Sequence, residues 1–293
     1  MHHRYAVPTA RVLAASLVTA LALTSCSSSS SSAPTTSTTS GPTSSASTSA
    51  GPSTSATPTP SPSPTTTTPA DVAMPTTEPA GWTRVYGRTD WTGRDLSRDF
   101  TSYPSRWRDT SNHGRYSGLT HVSTAPGLLV VKLASDKTGP RVTAIMPNLG
   151  KGQRNGRYSI RARMSAVGVG YKTTWVLWPD DERWPLRGSM AWPDGAITGA
   201  PTAISHWASP QGGQDTFSQS ASNADWHTYT IEWVPGRVQF FLDGALVGTS
   251  KNKIPSTSMH WVIQSETILG RTVPSPTASA TVQIDWITMA KRS

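Results

Sequence analysis

The chain has 293 residues, a formal net charge of +9 and a single cysteine. One cysteine excludes an intramolecular disulfide framework and a cysteine-based metal site. Only 15% of the residues are charged, and much of the N-terminal quarter is Ser, Thr, Pro and Ala, so one folded domain of about 210 residues is expected after it.

Residues 1–26 read as a lipoprotein signal peptide. Arg4 and Arg11 form a basic n-region, and residues 12–23 form an apolar stretch too short to span a bilayer. Leu23-Thr24-Ser25-Cys26 resembles the bacterial lipobox, in which the cysteine takes a diacylglyceryl group; an ordinary cleaved signal is the alternative. Lipidation at Cys26 places the protein in a bacterial cell envelope, on the outer face of the cytoplasmic membrane, and cleavage without lipidation makes it secreted. Loss of Arg4 and Arg11 with the signal lowers the formal charge from +9 to +7, which suits acidic wall polymers or lipid headgroups in an exported protein, not nucleic acid.

Residues 27–80 are almost uncharged Ser, Thr, Pro, Ala and Gly. Such a composition cannot bury enough apolar surface to offset the entropy of ordering, and a disordered linker is expected. It would reach roughly 40 Å as a coil and up to about 170 Å as extended polyproline-like chain.

From residue 81 the pattern changes to short strand-like runs, and all twelve Trp lie beyond this point. Runs rich in β-branched and aromatic residues fall at 127–134, 141–146, 157–164, 172–178, 201–207, 227–234, 238–242, 260–264 and 281–288. Tyr229, Ile231 and Trp233 alternate with Thr228, Thr230 and Glu232, the mark of a half-buried strand. Asp243-Gly244 predicts a tight hairpin turn. No long helical periodicity occurs, so an all-β sandwich or barrel is expected.

The segment 177–195 carries the most functional information. It contains Trp184-Pro185 and Gly188, then Ser189, Ala191 and Asp194. This resembles the active-site strand of glycoside hydrolase family 16, in which Trp-Pro and Gly precede Glu-x-Asp-x-x-Glu. Residues 225–233 and 240–244 are similar to that family's late hairpin, and 260–267 to a cleft strand. The resemblance implies a concanavalin-like β-jelly roll sandwich of two antiparallel sheets over 81–293, with a glycan cleft on the concave face. It also places Ser189 at the nucleophile position, Ala191 at the helper position and Asp194 at the acid/base position.

The spacing has a physical meaning. Positions 189 and 191 share a strand face, and a β-bulge is needed to return position 194 to it. A retaining glycosidase needs two carboxyl groups about 5–5.5 Å apart. Ser189 is a poor nucleophile without a neighbouring base, and Ala191 offers no group at all. The other carboxylates on offer are few: the chain has four Glu, at 78, 182, 232 and 266, with Glu78 in the expected linker.

Trp184, Trp175, Trp178, Trp192, Trp207 and Trp261 are candidates for stacking on sugar rings, with core packing the alternative for each. His206 and Gln264 resemble the family's cleft residues that contact sugar hydroxyls, a structural hydrogen bond being the alternative. Trp233 and Trp286 are assigned to the core. Asp180, Asp181 and Glu182 are read as a solvated loop, part of a cation site being the alternative; no metal or cofactor is expected. The Asp194-Gly195 pair also reads as a turn dipeptide whose carboxyl faces solvent. Arg154, Arg157, Arg161 and Arg163 are expected on a solvated strand face. The expected partner is a polysaccharide, bound by a monomer without normal hydrolase activity. The alternatives are a weak glycosidase or transglycosylase that uses Asp194, and a structural wall protein.

Overall fold

A computed structural model describes residues 72–150, 152–270 and 272–293. The signal segment, Cys26 and nearly all of the expected linker lie outside these residues. Apart from one four-residue helix, α1 (Leu96–Asp99), the regular structure is strand.

The first strands are β1 (Trp82–Arg88), β2 (Phe100–Ser102), β3 (Arg115–Tyr116), β4 (Val122–Ala125), β5 (Leu128–Asp136) and β6 (Gly139–Pro147). Next come β7 (Gly156–Met164), β8 (Tyr171–Pro179), β9 (Ser189–Ala196), β10 (Thr202–His206) and β11 (Gln214–Ser218). The last are β12 (His227–Val234), β13 (Arg237–Leu242), β14 (Ala245–Ser250), β15 (Met259–Thr267) and β16 (Ser279–Arg292). They form two layers that meet at β6. One runs β11-β10-β9-β8-β15-β6, the other β5-β16-β7-β12-β13-β14. All pairings are antiparallel except that of β3 with β6. This is the expected jelly-roll sandwich. Asp243 and Gly244 turn β13 into β14 with φ of 50° and 83°, the left-handed pair that a two-residue hairpin requires.

The layers bury an aromatic core. Trp175 of β8 and Trp192 of β9 both meet the Tyr229 ring of β12 edge-on, with centroids 5.5 and 5.3 Å apart. Trp261 of β15 does the same to Tyr158 of β7. These three indoles, candidates for sugar stacking on sequence, therefore face the core and are withdrawn from the site. Strand parity explains this: Trp175 and Trp178 are three residues apart and cannot share a face of β8. Trp175→Ala should destabilise the protein by about 3–5 kcal/mol in denaturant unfolding, as for other buried aromatics cut to Ala.

Trp233 is fully buried as expected, its Nε1 donating to Pro255 O. Trp286 is also buried, but its Nε1 donates to Val72 O, so the segment before β1 covers it. Glu78, in the expected linker, is likewise part of the folded body. Its carboxylate bridges Arg84 and Arg157, and Arg157 also pairs with Glu232 at 2.7 Å. A truncated protein starting at residue 81 should lose about 1.5–3 kcal/mol of stability for that carboxylate alone, measured by urea unfolding.

The outer face of β7 is not the solvated strip expected. Arg161 is 4% exposed, pairs with Asp285, and lies with Arg163 over the Trp226 ring. Burial raises the Asp285 carboxyl above the usual range, against the pull of Arg161.

Candidate functional site

The site lies on the face of β15, β8, β9 and β10 turned away from the core, and strand register fixes what shares it. Val262, Val176, Ala191 and Ile204 are aligned across the four strands. The next aligned set is Gln264, Thr174, Asp194 and Thr202. Beyond that, Lys172 stands between Glu266 and Ala196; on the other side, His260 pairs with Trp178, and Ser189 with His206. Between Ala191 and Asp194 the register of β9 slips by one residue against both neighbours. That bulge brings positions 189, 191 and 194 to one face, as the motif's spacing requires.

Asp194 is thus a strand residue, not a solvent-facing turn residue. Its Oδ2 accepts from Thr174 Oγ1 at 2.6 Å and lies 3.6 Å from Lys172 Nζ. Ser189 is 1% exposed and Ala191 2%, so the positions for nucleophile and helper are covered as well as substituted. Ser189 is paired with His206, beside which Trp184 and Trp178 lie. Trp184 is 41% exposed and stacks on Trp178, with centroids 6.0 Å apart and planes at 20°. The Trp184 ring also meets His206 edge-on at 5.9 Å, and Trp178 Nε1 donates to Glu182 Oε2 at 2.8 Å.

The His206 imidazole is held below its ordinary value of 6.5, first by burial and then by Lys172, against the pull of Asp194. A group that binds its proton less readily when folded favours the unfolded state as pH falls through the unfolded value. His206 therefore contributes stability above pH 6.5 that is lost below it. His206→Gln removes this term, so the parent's stability margin over the variant should shrink from about pH 7.5 to about pH 5 in urea midpoints.

Two further candidates have other work. Gln264 lies on this face, but its Nε2 donates to Tyr116 Oη at 2.7 Å and to the Glu266 carboxylate. Trp207 turns off the strand, where Gly213 leaves room for its ring and Lys253 Nζ lies 5.6 Å from its centroid. Asp180, Asp181 and Glu182 each have a separate partner: His260 Nδ1 and Ser258 Oγ for Asp180, Arg187 for Asp181, and Trp178 for Glu182. His227 is tied to the hairpin through Asp243 at 2.6 Å. Among the described residues, no group of three or more His, Cys, Asp or Glu could hold a metal ion.

Sequence reasoning missed Lys172, Thr174 and His260, all of which share this face. Lys172 and Thr174 have the parity of Trp178 on β8, a signal the sequence did contain. Glu266, one of the four Glu weighed on sequence as a replacement carboxylate, is 2% exposed and accepts from Thr110 N, Thr110 Oγ1 and Tyr116 Oη. That carboxylate anchors an overlying loop and is not a free partner for Asp194.

Residues 198–288 match the family model "Glycosyl hydrolases family 16". The fold agrees: a β-glucanase from Bacillus licheniformis superposes with a TM-score of 0.59 at 12% identity, over 70% of this chain and 98% of that one. LamA of Zobellia galactanivorans, solved as a glutamate-to-serine variant with laminaritriose and laminaritetraose, gives 0.56 at 16% identity, over 71% and 99%. A structure from work on endo-acting O-glycanases of the human gut microbiota that initiate mucin breakdown gives 0.63 at 16%, over 75% and 94%. No curated protein matches the sequence. The described fold is thus that of these glucanases, and the family model matches its segment 198–288. The matched segment begins after β9, so the strand with the three substituted positions lies outside it.

Proposed function

We propose that the domain binds a polysaccharide through the Trp184–Trp178 face and does not hydrolyse it by the family's retaining mechanism. One observation carries this reading. The face retains the exposed Trp184 stacked on the half-buried Trp178 and, of the three positions where carboxyl groups would stand, a carboxyl only at Asp194, already engaged by Thr174 and Lys172. A single carboxylate cannot serve as both nucleophile and acid/base in a double displacement. In this reading the indoles stack on the apolar faces of sugar rings, while His206 and His260 offer ring nitrogens to hydroxyls. A lipid anchor at Cys26 and a spacer over 27–71 would hold the domain at the cell envelope.

The test is to incubate the protein with β-1,3- and mixed-linked glucans, galactans and wall polysaccharides, scoring binding and new reducing ends together. Saturable binding without new ends supports the reading. New ends from the unmodified protein would replace it with a working enzyme.

A further inference from the structure

Where the two layers meet, β4, β5 and β6 carry a second cleft, of about 370 Å³, that shares no residue with the candidate site. Strand parity builds it. On β5, Val131 and Leu133 are buried in the core, so Lys132 and Ala134 point outward. Arg141 of β6 stands opposite Ala134, and its neighbour Val142 is buried, so Arg141 shares that outer face. On the other side of β5, Lys132 N donates to His121 O at 2.8 Å, and Ser123 of β4 completes the lining. Lys132 and Ala134 are about 7 Å apart along the strand. An ammonium and a guanidinium thus flank a floor made by one methyl group.

The charges in this cleft do not cancel. Asp136, the one acid among the lining residues, is already engaged: Oδ1 accepts from Thr138 N and Oγ1, both at 2.7 Å, and Oδ2 from Arg141 Nε at 2.6 Å. These bonds fix Arg141, whose Nη2 also donates to Thr138 Oγ1, and Nη1 has no acceptor among the described residues. Lys132 Nζ has no hydrogen bond or ion pair among them either. His121 Nδ1 is buried without a partner. Its imidazole is held below the ordinary 6.5 by burial, then by Arg141, with Lys132 adding to this and Asp136 opposing it.

We propose that this cleft is a second binding site, which takes a phosphate or carboxylate group carried by an acidic polysaccharide. Lys132 Nζ and Arg141 Nη1 supply charge-assisted donors to such a group, and the Ser123 hydroxyl adds a neutral one. Ser123 and Lys132 are exposed, so the anion can belong to a chain that continues past the cleft. The lining holds no Trp, Tyr or Phe ring on which a nucleic-acid base could stack, which favours a sugar polymer. The inference does not rest on the indole face.

Sulfate, which does not titrate near neutral pH, is added to the full protein while the imidazole resonances are followed. His121 is identified by its loss in His121→Gln. The expected result is a saturable shift of that resonance which chloride at equal ionic strength does not give. Lys132→Ala changes an exposed side chain and should weaken sulfate binding about tenfold, the loss of one charge-assisted contact. A polyuronate and a phosphomannan are then used to displace the sulfate. Release by the first assigns a carboxylate, and release by the second a phosphate. Release by neither means an adventitious ion only and overturns the inference, as does equal release by a single-stranded oligonucleotide. No shift beyond that of chloride, or an unchanged affinity in Lys132→Ala, also overturns it.

Discussion

The unmodified protein is expected to release no new reducing ends from any glucan, and Asp194→Ala to leave that result unchanged. Loss of a nucleophile costs on the order of a millionfold in other hydrolases. Here the nucleophile position holds a buried serine whose cross-strand neighbour is His206. The converse experiment is the combined variant Ser189→Glu, Ala191→Asp, Asp194→Glu. The bulge in β9 already brings the three positions to one face, so cleavage should appear once the carboxyls return. Position 189 is 1% exposed, so the larger side chain there must displace its surroundings, and overpacking of about 1–3 kcal/mol is expected in unfolding of the variant. Cleavage by the parent that disappears in Asp194→Ala would mean that Asp194 has found another partner.

Trp184→Ala should weaken polysaccharide binding by about 25-fold, the equivalent of a binding hot spot of about 2 kcal/mol. Stability should barely change, because the ring is 41% exposed and its main neighbour, Trp178, keeps its own bond to Glu182. Isothermal titration with a bound glycan, beside a thermal melt, separates the two effects. An unchanged affinity would move the binding surface away from this face.

Much of the fold was legible in the sequence, because strand periodicity and hairpin turns are local signals. The run at 227–234 is β12, and Asp243-Gly244 is the turn it was expected to be. The short strands β1 to β4, β11 and β14 were missed, since two to seven residues without clear alternation give no periodic signal. The site was half legible. Motif spacing located Ser189, Ala191 and Asp194 together with the bulge between them. The indoles were over-assigned, because a Trp suits a core as well as a sugar, and only the parity of its strand distinguishes them. Trp175, Trp192 and Trp261 are on the core parity, Trp178 on the other. The contacts over the end of β15 could not be read at all, since Tyr116 meets Gln264 and Glu266 across about 150 residues of sequence.

The packing of residues 72–80 has a mechanical consequence. Any pull along the chain from the N-terminal side reaches Val72 and Glu78 before it reaches β1. Beyond them β1 runs antiparallel to β16 from Trp82 opposite Arg292, so the start of β1 is held beside the last residues of β16. Such a load therefore meets the Trp286 and Glu78 contacts before the sheet, and the β1–β16 pair belongs to the layer opposite the candidate site.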